Sequence, residues 1–151
     1  IIPPGKGEAH RNQLMDTLYH AQDTNMPSDY AGAFYELLAV QKRRSVVFIF
    51  TDFETTEEAK ELMEAMPVIL KRHVPVIVLM DNESLEKITK GREKDVKGIY
   101  NQAMAESLIL ERKKIMRSLN QRGIICVESY AENFAIDTVN QYLSLKERFF
   151  R

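Results

Sequence analysis

Three short apolar runs interrupt a chain that is otherwise a mixture of polar and apolar residues. They read SVVFIF at 45–50, PVIVLM at 75–80 and IICV at 124–127. Each run is continuous rather than alternating and is rich in β-branched residues, which is typical of strands covered on both faces of a parallel sheet. The hydrophobic pattern therefore predicts three buried strands.

Around these runs, apolar residues recur at the spacing of amphipathic helices. We predict helices over 8–21, from an N-cap at Ser28 to the QKRR segment, from about 55 to 70, over 83–90, over 93–122 and over 131–150. Pro67 predicts a kink or a break, and Gly123 is the expected residue just past the long helix. The apolar faces of the first and last helices are expected at Leu14, Met15 and Leu18, and at Phe134, Val139, Tyr142 and Leu143.

Strands that alternate with helices define the α/β class, with a Rossmann-like parallel sheet and helices on both faces. No long linker or repeat divides the 151 residues, so we expect one domain over 1–151. Doubly wound sheets usually have about five or six strands, whereas the pattern predicts three. We therefore expect a partial domain, the C-terminal half of a sheet whose other strands lie upstream.

Composition narrows the class of protein. Lys and Arg together number 21 and Asp and Glu 22, so the net charge is −1 and no overall basic field favours nucleic acid. The basic clusters at 41–44 and 71–73 are interpreted as solvated helix ends, and His73 as a surface residue. Cys126 is the only cysteine and lies in an apolar strand. This excludes an intrachain disulfide and favours a cytoplasmic setting, with an upstream membrane anchor left open.

The strongest candidate for chemistry is Asp52, which follows the first apolar run directly. Ligands of open parallel sheets bind beyond the carboxyl ends of the strands. The chain offers oxygen donors rather than a glycine-rich phosphate loop or a zinc-type cluster. These donors are Ser28, Asp29, Thr51, Asp52 and Glu54. Hydroxyl and carboxylate oxygens are the ligands that hard cations such as Mg²⁺ or Mn²⁺ prefer.

Several segments resemble a known bacterial family. PPGKGEAHRNQLMDTLY, SDYAGAFYELL, KRRSVVFIFTDFE and NQYLSLKER are similar, in this order, to the carboxyl-terminal part of the von Willebrand factor A-like family called domain of unknown function fifty-eight. The resemblance covers essentially the whole chain. It implies a von Willebrand factor A-type sheet with a metal-ion-dependent adhesion site at the strand ends. It also implies a protein–protein interaction module that works with a MoxR-type AAA ATPase on an unknown client.

In that family three segments build the metal site. The resemblance implies that Asp52 is the aspartate of the third segment and that Ser28 supplies the hydroxyl of the second. Asp29 is its neighbour and is expected to orient the loop. The first segment, a D-x-S-x-S loop, does not occur in this chain. The resemblance therefore implies Mg²⁺ or Mn²⁺ in the complete domain and only part of the ligand set here.

Three functions are open at this stage. The first is the interaction module, which is not an enzyme. The second is a Rossmann-like enzyme domain that binds a nucleotide or phosphate through a metal held by Asp52 and Glu54. In the third, a metal-free scaffold, Asp52 only caps the following helix. We also expect the free edge of the first strand to pair with a second copy of the chain.

Overall fold

The predicted elements are present in the structure. A computed structural model describes residues 2–22, 28–53, 55–81, 83–91 and 95–149. The strands are β1 (Val46–Phe50), β2 (Val74–Met80) and β3 (Ile125–Ser129). The helices are α1 (Gly7–Tyr19), α2 (Tyr30–Val40), α3 (Thr56–Leu70), α4 (Glu83–Lys90), α5 (Val96–Gln121) and α6 (Phe134–Phe149). The three predicted strands are confirmed, and each predicted helix is confirmed to within a few residues at its ends.

The three strands form one parallel sheet in the order β1-β2-β3. Val46 of β1 lies opposite Val74 of β2, and Val76 of β2 lies opposite Ile125 of β3. All strands therefore begin at one edge of the sheet, here called the amino edge, and end at the other, the carboxyl edge. This arrangement confirms the predicted α/β class with a Rossmann-like parallel sheet.

The middle of β2 is completely buried and forms the centre of the core. Side chains alternate between the two faces along a strand. Ile77 and Leu79 accordingly pack in one cluster with α3 and α5, whereas Val76 and Val78 pack on the other face with Leu145 of α6. Helices thus cover both faces of the sheet, as predicted.

β1 is less buried than its apolar sequence predicts. Its first four residues are half-buried, and Phe50 is 59% exposed. The reason is position, because among the described strands β1 pairs only with β2. An aromatic contact partly shields Phe50 from water, since the centroid of its ring lies 5.6 Å from that of Phe134 on α6. The expected pairing of this edge with a second copy stays a prediction.

The predicted core residues of α6 are only partly correct. Phe134 is half-buried, but Val139, Tyr142 and Leu143 are exposed, and the buried residue of this helix is Leu145. α6 meets the sheet along a narrow stripe, whereas its sequence carries apolar residues around more than one face. Periodicity alone could not choose between these faces.

α1 forms where predicted, but its predicted apolar face does not pack. Leu14, Met15 and Leu18 are all exposed, and no residue of α1 is buried. Within the described ranges, no element makes substantial contact with this helix. Helical periodicity therefore predicted the helix itself but not a contact for it.

The other helices show how local breakers act. α3 passes through Pro67 and continues to Leu70, so Pro67 does not break the helix, and the kink that was the other expectation stays a prediction. Gly123 follows α5 with a φ of 81°, as predicted for the residue past its end. None of the helices in the described part of the chain is both long and apolar enough to cross a lipid bilayer.

His73 is not the surface residue that its basic neighbours suggested. It is buried between α3 and β2, and its Nδ1 accepts a hydrogen bond of 3.2 Å from the N–H of Ser45. In the described surroundings, Nε2 has no partner. Burial, and to a smaller extent the Arg72 guanidinium, lowers the pKa of His73. The imidazole is therefore neutral, with Nδ1 as an acceptor.

This environment predicts a loss of stability in mild acid. Because the pKa of His73 is lower in the folded than in the unfolded chain, its contribution is complete above about pH 6.5. The contribution is lost as the pH falls below that value, since the unfolded chain takes up the proton more readily. Denaturant unfolding between about pH 8 and about pH 5 should show a smaller decline for His73→Gln than for the unaltered chain. His20→Gln, a change at an exposed histidine, should follow the unaltered chain, and equal declines in all three would contradict the assignment.

Candidate functional site at the carboxyl edge

Asp52 lies where the sequence predicts it, directly after β1 at the carboxyl edge. Its side chain is 62% exposed, and its Oδ1 accepts a 3.0 Å hydrogen bond from the N–H of Phe53. The carboxylate borders a pocket of about 350 Å³ that three further carboxylates also line, from Asp81, Glu83 and Glu132. The parallel topology thus gathers acidic side chains that follow β1, β2 and β3 in one place.

A single buried cation, Arg112 of α5, connects the ends of all three strands. Its Nη1 lies 3.3 Å from Oδ1 of Asp52, after β1. Its Nη2 donates a hydrogen bond of 2.5 Å to the carbonyl of Met80, the last residue of β2. Its Nε lies 2.9 Å from Oε1 of Glu128 on β3. Arg112 as a whole is only 8% exposed, so α5 places a buried positive charge beside carboxylates at the strand ends.

Sequence reasoning missed Arg112, although the chain contains a hint. Arg112 lies among the buried residues of α5, which are otherwise Gly98, Ala105, Ile115 and Leu119. An arginine at such a position needs a carboxylate or carbonyl partner inside the fold, because burying an unpaired charge is costly. The pattern could have predicted a buried ion pair, but not that the partners lie at the strand ends.

Ser28 and Asp29 precede α2, as predicted, but their local roles differ from the prediction. The N-cap of α2 is Asp29, whose Oδ1 accepts a 2.8 Å hydrogen bond from the N–H of Gly32. The predicted N-cap at Ser28 is therefore wrong by one residue, because the helix begins at Tyr30. Ser28 and Asp29 line a pocket of about 500 Å³ against α3, whereas Asp52 borders the pocket at the ends of β2 and β3.

Tyr30 is the link between these two regions. Its hydroxyl lies 2.8 Å from Oγ1 of Thr51, the residue that follows β1. The start of α2 is thereby tied to the end of β1, next to Asp52. The structure thus joins the second and third predicted ligand segments through a hydrogen bond between neighbours of the predicted ligands.

The oxygen donors suit a hard cation in chemistry, but the described arrangement supplies only part of a coordination shell. The Asp52 carboxylate faces a guanidinium, and the Asp29 carboxylate caps a helix. Across the ranges that the structure describes, no three His, Cys, Asp or Glu side chains are grouped to hold a metal ion. Metal ligation by Asp52, Ser28 and Asp29 stays a prediction.

The N-terminus of α3 is the place where the alternative of phosphate binding can be examined. Helix N-termini favour anions because their first N–H groups are free. Here Oε1 of Glu111 on α5 accepts hydrogen bonds from the N–H of Thr56 at 3.2 Å and from its hydroxyl at 3.0 Å. A carboxylate of the chain itself thus meets this helix end, and the contacts of Asp52 among the described residues are with Phe53 and Arg112. Glu54, the second ligand in that alternative, lies outside the described residues.

Cys126 does not contribute a nucleophile to this edge. Burial, followed by the charge of Glu128, raises the pKa of its thiol to about 11. The side chain therefore stays protonated at neutral pH, as expected for a thiol in an apolar strand. The buried His73 does not contribute to this edge either, because it precedes β2 and therefore lies at the amino edge.

A parallel α/β sheet with charged groups gathered at its carboxyl edge places the chain among Rossmann-like domains. Residues 1–99 match the family model described as "Protein of unknown function DUF58". The chain belongs to this family. Comparisons with curated proteins and with solved structures found no match.

The contact between Glu111 and α3 predicts a measurable capping contribution. Replacing Glu111 with Ala removes the acceptor at the helix N-terminus and should lower the free energy of unfolding by about 1 kcal/mol. Glu111→Gln keeps an acceptor oxygen and should lower it less. The control is Glu106→Ala, which replaces another glutamate of α5 about one turn earlier in the helix. Denaturant unfolding that gives equal values for Glu111→Ala and Glu106→Ala would contradict the capping role.

The contacts of Arg112 predict a larger effect. Breaking a fully buried ion pair costs about 3–5 kcal/mol. We expect about 2 kcal/mol for Arg112→Ala, since the side chains of Asp52 and Glu128 remain 62% and 31% exposed and water solvates them. Lys113→Ala, at the exposed neighbouring position, should change stability by less than about 0.5 kcal/mol. If urea unfolding gives Arg112→Ala and Lys113→Ala the same free energy of unfolding, Arg112 does not stabilise the strand ends.

Proposed function

We propose that this chain is a protein–protein interaction module of the von Willebrand factor A type, which binds its partner at the carboxyl edge of the sheet. The observation that supports this most is the position of Asp52. Its exposed carboxylate follows β1 on the rim of an acidic pocket, and the buried guanidinium of Arg112 contacts and orients it. An exposed carboxylate held in this way can bind a partner or a bridging metal ion without taking part in a chemical reaction.

A binding role is proposed rather than catalysis. Nucleophilic catalysis needs a side chain activated by a base or by a lowered pKa. The pKa of Cys126 is raised instead, and His73 is at the opposite edge. These observations support an interaction module over an enzyme, in agreement with the resemblance noted from the sequence.

In the complete domain, the proposal assigns Mg²⁺ or Mn²⁺ to Asp52 and the Ser28 hydroxyl, with Asp29 positioning the loop. The remaining donors would come from a D-x-S-x-S segment upstream. Such an ion, when bound, supplies an exchangeable coordination position for a carboxylate of the partner.

Arg112 sets the condition for such binding, because a divalent ion must compete with its guanidinium for Asp52. The competition is feasible because the Asp52 side chain is 62% exposed, and because Arg112 would keep Glu128 and the carbonyl of Met80 as partners.

The proposed partner is a MoxR-type AAA ATPase in the cytoplasm, acting together with the module on a client protein. This part rests on the family resemblance. The acidic surroundings of Asp52 are compatible with a partner surface that is basic, or with a partner carboxylate bridged through the metal. No nucleic acid is proposed at this edge, because carboxylates repel phosphates.

The metal is tested by calorimetric titration with Mn²⁺ of a longer chain that includes the segment expected upstream. We expect saturable Mn²⁺ binding by the unaltered chain. The affinity should fall by more than about tenfold in Asp52→Asn, because this change removes a carboxylate that is proposed to contact the metal directly. Glu83→Gln is the matched control, because Glu83 borders the same pocket but is not a proposed ligand. Binding that is absent, or that persists unchanged in Asp52→Asn, would argue against the adhesion-type site.

The partner is tested separately with a purified MoxR-type ATPase from the same organism. Its affinity for the unaltered protein should exceed that for Asp52→Asn in the presence of Mn²⁺. An equal affinity for both proteins would mean that the ATPase does not bind at the carboxyl edge. The conclusion from the Mn²⁺ titration would not change.

A further inference from the structure

The amino edge of the sheet carries a concentration of positive charge that the net charge of the chain conceals. Four separate segments meet there, at 41–45 before β1, 71–73 before β2, 120–123 before β3 and 146–149 at the end of α6. Together they contain the cations Lys42, Arg43, Arg44, Lys71, Arg72, Arg122, Lys146 and Arg148. Glu147 is the single carboxylate of these segments, so they carry a net charge of +7 with His73 neutral.

The segments are held together by hydrogen bonds between the strand starts. The N–H of Val74 donates to the carbonyl of Ser45 at 2.9 Å, and the N–H of Ser45 donates to His73 Nδ1 at 3.2 Å. The basic clusters before β1 and β2 therefore lie side by side. The register of β3 with β2 brings Arg122 to the same edge. The basic clusters at 41–44 and 71–73, which were predicted to be separate helix ends, therefore belong to one surface.

These cations are exposed and not neutralised by the fold. Counting the described residues only, none of the eight forms an ion pair with a carboxylate. Lys42 donates to the carbonyl of Leu38 at the end of α2. α2, α3, α5 and α6 end at this edge, and each helix end contributes about half a negative charge. About two negative charges against +7 leave the edge strongly positive.

Because the whole chain carries −1 and the amino edge +7, the rest of the chain carries −8. Four carboxylates of that remainder, from Asp52, Asp81, Glu83 and Glu132, line one pocket at the carboxyl edge. The seven residues of β2 separate the edges by about 23 Å. At physiological ionic strength the screening length is about 8 Å, so the acidic carboxyl edge does not cancel the field at the amino edge.

An aromatic side chain lies among these cations. The guanidinium carbons of Arg44 and Arg148 lie 5.6 Å and 5.3 Å from the ring centroid of Phe149, which is 36% exposed. Cation–π contacts of this kind keep guanidinium groups next to an apolar ring. The combination of cations with a partly exposed aromatic ring suits an interface between water and an apolar phase.

We propose that the amino edge binds the surface of a membrane that contains anionic lipids, with lipid phosphate and carboxylate headgroups as the ligands of the cations. The surface is assembled from four segments, and its cations line neither of the two pockets described above. A planar anionic surface fits such a face better than an extended or helical peptide of the kind that binds in a groove or along a strand edge. Clusters of Lys and Arg at such a face are the usual basis of anionic lipid binding.

The charge polarity also fixes an orientation. With the amino edge against an anionic surface, the acidic carboxyl edge points away from it. This orientation is independent of the proposed partner binding at Asp52, since it involves the other end of each strand. It would leave the carboxyl edge accessible.

The test is co-sedimentation of the chain with vesicles of phosphatidylcholine alone or with phosphatidylserine added, in EDTA to exclude any divalent metal. We expect binding only to the phosphatidylserine vesicles and its loss at about 1 M salt, where the screening length falls to about 3 Å. The triple variant Arg43→Gln, Lys71→Gln and Arg72→Gln should lose at least about tenfold in apparent affinity. Its fold is checked by circular dichroism.

The control neutralises three exposed lysines of α5, in the variant Lys97→Gln, Lys113→Gln and Lys114→Gln. Both triple variants have the same net charge, so only the location of the charge differs. Equal losses in both, binding to phosphatidylcholine alone, or no binding to either vesicle would overturn the proposal. Stronger binding to polyglutamate or to duplex DNA than to the vesicles would overturn it in favour of an acidic protein or a nucleic acid.

Discussion

Burial of β2 on both faces is the constraint on which the rest of the structure depends. Its central residues alternate between two clusters, with Ile77 and Leu79 on one face and Val76 and Val78 on the other. Removing both faces from water requires helices on each side, and a parallel sheet requires helical crossovers to provide them. Every strand then begins at the same edge and ends at the same edge. The chemical difference between the two edges follows from this geometry.

The carboxyl edge shows how the fold manages the charge that it collects. Carboxylates that follow three different strands come together there, and their mutual repulsion would destabilise the sheet end. Arg112 offsets this repulsion by reaching Asp52, the carbonyl of Met80 and Glu128 from one position on α5. Glu111, its neighbour in sequence, meets the N-terminus of α3. One turn of α5 therefore connects the helix layer to the strand ends and orients the Asp52 carboxylate at the carboxyl edge.

Among the residues that the structure describes, the cations of the amino edge have no carboxylate partner comparable to those of Arg112, and this contrast separates two kinds of charged surface. A buried, paired charge such as Arg112 contributes to holding elements together. Exposed charges such as Arg43 and Arg72 contribute little to stability, but their field extends into solvent and acts on whatever approaches. Membership in the DUF58 family is compatible with both proposals, one for each edge, and the two are independent because a strand length separates them.

The sequence by itself determined the class of fold, the three strands, the six helices and the position of Asp52, because hydrophobic periodicity and chain breakers act over a few residues. It did not determine that Phe50 is exposed or that His73 is buried, because both depend on which neighbours a segment acquires. It also did not reveal that Arg112 reaches Asp52, or that two basic clusters merge at one edge. These juxtapositions join residues tens of positions apart, and only the strand order and register of the tertiary structure decided them.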